Sequence, residues 1–270
     1  MVEHAEGPSA AAPPLWSGLP LLDRYLGPLP PGRISVLDHR PPAQGLDLLW
    51  CYGLQATAWG RVVYVDGGNS ADPLALRQRA VALGRPWPEV AQRFQLSRAF
   101  TAHQLTTVLS QRLGAYLGPS SGEALGLEPD APPAPEGPGR YGRPAVLLVV
   151  AEPLALFSDE DVGEGEAVAL VRQAVRGVAS AAAAARVPAL LSVRQGQGRR
   201  EQRLQGRVWE VAHRVMQLRA RQRRRGGQLQ YVLSVRGSAV VPLRFAQRPP
   251  WQRSLDEFLQ VPLEAGEKWT

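Results

Sequence analysis

LWSGLPLLDRYLGPLPPGRISVLDHRPPAQGLDLLWCYGLQATAW, residues 15–59, is the stretch that decides the fold. Within it Ile34-Ser35-Val36-Leu37-Asp38 is apolar and β-branched, the composition of a strand buried on both faces. Gly32 supplies a turn just ahead of that strand. Leu46, Leu49, Trp50, Gly53 and Leu54 then recur at helical spacing, and no proline interrupts the run to Trp59, so a helix is expected over 46–59. Between the two lies His39-Arg40-Pro41-Pro42-Ala43-Gln44-Gly45, expected as a tight loop. Strand, tight loop and helix N-terminus is the arrangement in which a chain cradles phosphate. The alternative is a generic α/β unit in which no phosphate site ever stood.

Ser17-Gly18-Leu19-Pro20-Leu21-Leu22-Asp23, Leu26-Gly27 and Pro31-Gly32-Arg33-Ile34 resemble the lead-in of the RecA/RadA recombinase superfamily. In that family a TG-x-x-x-LD-x-LLGGG-x-x-x-G-x-I run enters the strand before the phosphate loop. The resemblance implies a phosphate loop after Asp38, and the chemistry of the residues departs from one. A phosphate cradle needs successive backbone N–H donors and glycines free to reach positive φ. Pro41 and Pro42 have no N–H and a fixed φ. The family's phosphate-binding Lys falls near Gln44 or Gly45. Its Mg²⁺-binding Ser/Thr falls near Leu46 or Asp47, and a carboxylate at a helix start repels an anion. The expectation is a retained scaffold with its nucleotide chemistry removed, and no cofactor.

The 270 residues allow one sizeable α/β domain with tails, and 44% hydrophobic content supports a core. Lys and Arg number 31 against 24 Asp and Glu, nearly all of the basic residues being arginine, which favours an acidic partner such as nucleic acid. The same arginine bias also follows from GC-rich coding. Cys51 is the single cysteine, so no disulfide forms within the chain, and the four histidines show no ligand spacing. No apolar run reaches membrane-spanning length, and the N-terminus lacks the core of a signal peptide. A cytoplasmic protein is expected, nucleoid-associated if prokaryotic, with no membrane partner.

Met1 to Pro14 is Ala/Pro/Gly-rich and expected as a disordered tail, ahead of a domain over 15–247. Arg61-Val62-Val63-Tyr64-Val65-Asp66 is a second buried strand ending on an acid. It resembles the recombinase strand ending in YID-x-E, but the family's catalytic Glu has no counterpart among Gly67, Gly68 and Asn69. Asp66 is therefore read as a cap or turn former for a helix over 72–83. Phe94 to Leu105 resembles the ARAFN-x-x-H-x-x-x-LL junction of the archaeal and eukaryotic recombinases, with a short strand at Phe94–Leu96 and Thr101 capping a helix to Leu117. His103, in the first turn, is read as structural. Gly118 to Gly142 is Pro/Gly/Glu-rich and reads as a flexible surface loop. Pro144 to Glu152 is a buried strand where the family has its LLVVDS metal-supporting run. Ala151 replaces the Asp of that run, and Glu152, one place on, is expected to face the other side of the strand. A helix over 167–185 and a buried strand over 188–193 follow.

From Arg194 the chain turns basic. Residues 194–203 are expected as a Gly/Arg-rich loop carrying Arg194, Arg199, Arg200 and Arg203, at the place of the recombinases' mobile DNA-binding loop. A short helix over 207–213 and an edge strand over 215–218 come next. A basic turn over 219–227 then holds Arg221, Arg223, Arg224 and Arg225, before two antiparallel strands over 228–235 and 238–245. Arginine runs are often only solvated turns. Two of them in one region of a cationic chain point to weak, sequence-independent phosphate-backbone binding. Neither run holds a stacking aromatic, so base-specific reading is not expected. The tail, 248–270, carries Gln252, Leu255, Phe258 and Leu259, which resemble the Q-x-x-L-x-x-F-[FL] peptide that docks on sliding clamps. Leu255, Phe258 and Leu259 lie on one face of a single turn, and a turn folded back on the domain itself is the alternative.

Together these readings give a RecA-like α/β core with a mainly parallel sheet, helices on both faces and an antiparallel C-terminal edge. The resemblance implies a recombinase paralog without ATP hydrolysis, acting as a DNA-binding accessory factor in repair or recombination beside a recombinase or paralog subunit. Two other classes stand beside it. One is a repair ATPase with a non-standard phosphate loop, and the other is a RecA-like scaffold that pairs with a partner subunit without touching DNA.

Overall fold

The structure, a computed structural model, describes residues 14–40, 42–118, 143–196, 198–222, 229–235 and 240–243. Its strands are β1 (Ile34–His39), β2 (Arg61–Asp66), β3 (Phe94–Arg98), β4 (Ala145–Ala151), β5 (Ala189–Arg194), β6 (Arg214–Gln222), β7 (Leu229–Val235) and β8 (Val240–Leu243). They form one sheet in the order β3-β2-β4-β5-β1-β6-β7-β8. The first six of that order run parallel, and β7 and β8 close the C-terminal side by antiparallel pairing. Every residue of β1 and β2 is buried, as strands covered on both faces require.

Helices cover both faces. On one side α1 (Pro20–Leu26), α2 (Pro42–Ala56), α3 (Pro73–Ala82) and α4 (Trp87–Arg93) enclose a core with Leu22, Leu49, Leu54 and Tyr64. Trp50 of α2 stacks on Tyr64 at 4.9 Å, and both rings meet Phe94 of β3. On the other side lie α5 (Ala102–Thr107), a π-helical stretch (Val108–Arg112), α6 (Leu113–Leu117), α7 (Leu154–Phe157), α8 (Glu164–Ala185) and α9 (Arg199–Glu210). The alanines of α8 let it lie close to the sheet, with Ala167, Ala174 and Ala182 fully buried. This is the α/β class expected of a RecA-like core. Among the described residues no helix is long and apolar enough to cross a membrane.

Several elements differ from their expected bounds, each for a local reason. α2 starts at Pro42 rather than Leu46, because proline's fixed φ and missing N–H suit the first helical position. α9 starts at Arg199 instead of near Arg207, with the Glu201 carboxylate accepting from the Gly198 N–H at 3.1 Å to cap it. β6 is not an edge strand. It lies between β1 and β7 and extends to Gln222, which pairs with Leu229, so Arg219 to Gln222 belong to a ladder and not to a turn. The helix α4 has no counterpart among the elements expected from the sequence. The lead-in pattern has a purely structural basis. Asp23 accepts from Ser17 N, Ser17 Oγ and Gly18 N at 2.8, 2.7 and 3.1 Å, tying the entry turn to α1.

Candidate functional site

Open α/β sheets bind ligands in the crevice beyond the carboxyl ends of their strands. Here that end gathers His39 from β1, Asp66 from β2, Arg98 from β3, Glu152 just past β4, Arg194 from β5 and Arg219 from β6. The loop expected over His39–Gly45 does not form. His39 belongs to β1 and Pro42 to α2, so Arg40 and Pro41 are all that separates strand from helix. Pro42, Ala43, Gln44 and Gly45 form the first turn of α2, with Leu46 and Asp47 in the next, and Pro41 lies outside the described residues. The imidazole of His39 is fully buried beneath that first turn. A Cβ added at Gly45 would come within 2.6 Å of His39 Cδ2 and closer still to Cγ and Nδ1. The imidazole thus fills the space between β1 and the first turn of α2. Asp47 ion-pairs with Arg79 of α3.

Glu152 corrects its expected orientation. Strand alternation would send it to the side opposite Ala151, but its backbone is left-handed, at φ 46°, and breaks that alternation. Its Oε1 lies 3.8 Å from His39 Nε2, with β5 between the two parent strands. Its carboxylate also presses on Gly68, where any Cβ would overlap it, and its backbone N–H donates to Ser192 O and Oγ at 3.2 and 3.0 Å. Burial pushes the Glu152 carboxyl above its ordinary range. The nearby Arg194 cation partly offsets this, and the Asp66 charge adds to it.

Asp66 acts as the turn former expected of it. Its buried carboxylate accepts from Gly68 N, Ser70 N, Ser70 Oγ and Ala71 N, and from Arg98 Nε at 3.1 Å. The cap of α3 is Asp72, whose side chain accepts from Leu74 N and Ala75 N. Ala151 ends β4 wholly buried and offers no ligand atom. No sequence pattern signals the contact that organises the far side of the site. Fully buried Asp38 accepts from Arg219 Nη2 at 2.8 Å and from Gln217 Nε2 at 3.1 Å, both on β6.

The arginines divide sharply. Arg40, Arg194 and Arg199 are exposed. Arg200 turns inward and donates to the carbonyls of Phe157, Asp159 and Val162 at 3.0, 2.9 and 2.6 Å, latching the turn after α7. Arg203 pairs with Glu164 at 2.6 Å on the surface. The backbone of Arg221 lies in β6, while Arg223, Arg224 and Arg225 lie outside the described residues, as do Gln252, Leu255, Phe258 and Leu259. His103 is exposed and 3.3 Å from Glu166. Burial pushes the Cys51 thiol up to about 12, which leaves it protonated and unreactive at neutral pH. Among the described residues no group of three or more His, Cys, Asp or Glu side chains is placed to hold a metal ion.

The chain matches no protein-family model and no curated protein.

Proposed function

We propose that this protein is a recombinase-like paralog that neither binds nor hydrolyses ATP and serves as a cytoplasmic, DNA-binding accessory factor in DNA repair or recombination. The observation that carries the reading is the His39 ring seated under the first turn of α2. A cradle of N–H donors around phosphate requires an open loop there, and the strand runs almost directly into the helix. Exposed Arg194 and Arg199, with Arg221 and Arg223 to Arg225 further along, supply the cations for a phosphate backbone. Arg200 and Arg203 contribute less, since both hold protein acceptors. The tail over 248–270 would add a tether to a sliding clamp.

The test is fluorescence anisotropy of labelled DNA titrated with the full chain at several salt concentrations, with and without Mg–ATP. Binding that weakens steadily with salt and ignores the nucleotide is expected. Binding that requires ATP, or no binding at all, overturns the reading. A second reading, a scaffold that pairs with a partner subunit, is favoured by Leu96 of the outer strand β3, 40% exposed, and Phe100 just past that strand, 72% exposed.

A further inference from the structure

The opposite end of the sheet has a different electrostatic character. We propose that the amino ends of β2, β4, β5 and β1 form a strip that binds single-stranded nucleic acid, with Trp59 as a stacking platform and Arg143, Arg186 and Arg33 as phosphate partners. The proposal takes its partner class from the nucleic-acid reading above but places the contact on a separate surface.

Each of the four residues lies just ahead of one of four adjacent strands, β2, β4, β5 and β1. Arg61 pairs with Ala145, and Arg61 N donates to Pro144 O at 3.1 Å; Trp59, in the turn after α2, and Arg143 each lie two positions ahead of that pair. Leu148 pairs with Ala189, and Arg186, the left-handed C-cap of α8, lies three positions ahead of Ala189. The carbonyl of Arg33 accepts from Ala189 N at 3.0 Å and fixes the next place in the row. Adjacent strands are about 4.8 Å apart, so the row spans about 14 Å.

All four side chains face solvent, and Trp59, in the turn after α2, is 59% exposed, whereas Trp50 within α2 is buried. An exposed indole beside guanidinium groups is the chemistry that holds single strands, because any base presents a π-face and any backbone a phosphate. Duplex DNA offers no such face, since its bases are already stacked on one another. Among the described residues, charge at this end is little compensated. Glu89 and Glu210 are each paired with an arginine of their own helix, at 4.0 and 2.5 Å, and Asp23 is taken up by Ser17 and Gly18. The carboxyl end, by contrast, buries Asp38, Asp66 and Glu152 among its arginines. Helix C-termini attract cations, which accounts for Arg186 at the end of α8. Arg33 and Arg143 belong to no helix and have no such explanation.

The test is anisotropy of fluorescein-labelled oligothymidylate and oligouridylate with the full chain and three variants. The first is Arg33→Gln/Arg143→Gln/Arg186→Gln. It should flatten the slope of log affinity against log salt by about 2, from three contacts at about 0.7 each. The second, Trp59→Leu, should weaken binding by about 5- to 100-fold and leave that slope unchanged. The third, Arg194→Gln/Arg199→Gln, removes cations of the carboxyl end and should lower affinity and slope by an amount independent of the first two changes. The matching Arg→Lys triple and Trp59→Phe should restore most of the affinity, which separates loss of contact from loss of fold. The two sugars distinguish DNA from RNA as the source of the strand. If the first two variants bind as the wild type and the third loses affinity, the strip is overturned while DNA binding at the carboxyl end stands. If the wild type binds neither oligonucleotide but sediments with phosphatidylglycerol vesicles, the strip and the nucleic-acid reading both fail.

Discussion

Gly45→Ala tests directly whether the His39 ring fills the phosphate site. Ala is the better helix former, and at an unobstructed position in α2 the change would stabilise by up to about 1 kcal/mol. At Gly45 the new methyl would overlap His39 Cγ, Nδ1 and Cδ2, and the ring is buried with α2 above it and β1 below. Overpacking of this kind costs about 1–3 kcal/mol, so the net expectation is a loss of up to about 2 kcal/mol. In an His39→Ala background the obstacle is gone, and the same change should stabilise by up to about 1 kcal/mol. The coupling between the two sites is then about 1–3 kcal/mol. Urea unfolding of the wild type, both single variants and the double variant gives it, provided the m-value is constant across the cycle. Additivity within about 0.5 kcal/mol would show that the ring does not lie under the helix and would refute the reasoning.

Other consequences are equally specific. Arg219→Ala leaves the carboxylate of Asp38 buried with only Gln217 beside it, and should cost about 3 kcal/mol in urea unfolding. That is the low end for a broken buried pair, because the Arg219 side chain keeps 26% exposure; Arg219→Lys should recover part of the loss. Burial raises the Glu152 carboxyl above its ordinary 4.5, so the folded chain holds that proton to higher pH than the unfolded chain. Its contribution to stability is therefore full below about 4.5 and is lost as pH rises through the raised folded value. Melting temperatures of Glu152→Gln measured across that range should show a weaker decline with pH than the wild type, and identical profiles would contradict the assignment. A peptide spanning residues 248–263 should bind a sliding clamp from the same organism, and its Leu255→Ala/Phe258→Ala form should not. Equal binding by both peptides would dismiss the tether.

The strands that build the floor of the site could be read from sequence because burial on both faces leaves one simple signal. Val36 and Leu37, Val62 to Val65, and Leu147 to Val150 are continuous apolar runs, and the structure buries every one of them. The junctions were harder, because the residues that break a helix also start one. Pro42 reads as loop from its neighbours, yet at the first helical position its missing N–H costs nothing. Gly196 and Gly198 similarly made the start of α9 look like part of a flexible arginine loop. Glu152 was assigned to the wrong side because alternation assumes an extended backbone, and a single left-handed residue re-aims the side chain. The Asp38–Arg219 contact joins residues 181 positions apart, and only the placing of β6 beside β1 brings them together. The arginines could be counted but not sorted. Arg199 and Arg200 are adjacent in sequence, and one faces solvent while the other holds three carbonyls.

Calorimetric titration of the full chain with ATP in the presence of Mg²⁺ bears most directly on the central claim. With His39 filling the space between β1 and α2, and Ala151 in place of a metal-supporting acid, no saturable heat is predicted. A dissociation constant in the micromolar range would mean that the helix and the ring move apart to admit phosphate, and the account of a closed nucleotide site would be wrong.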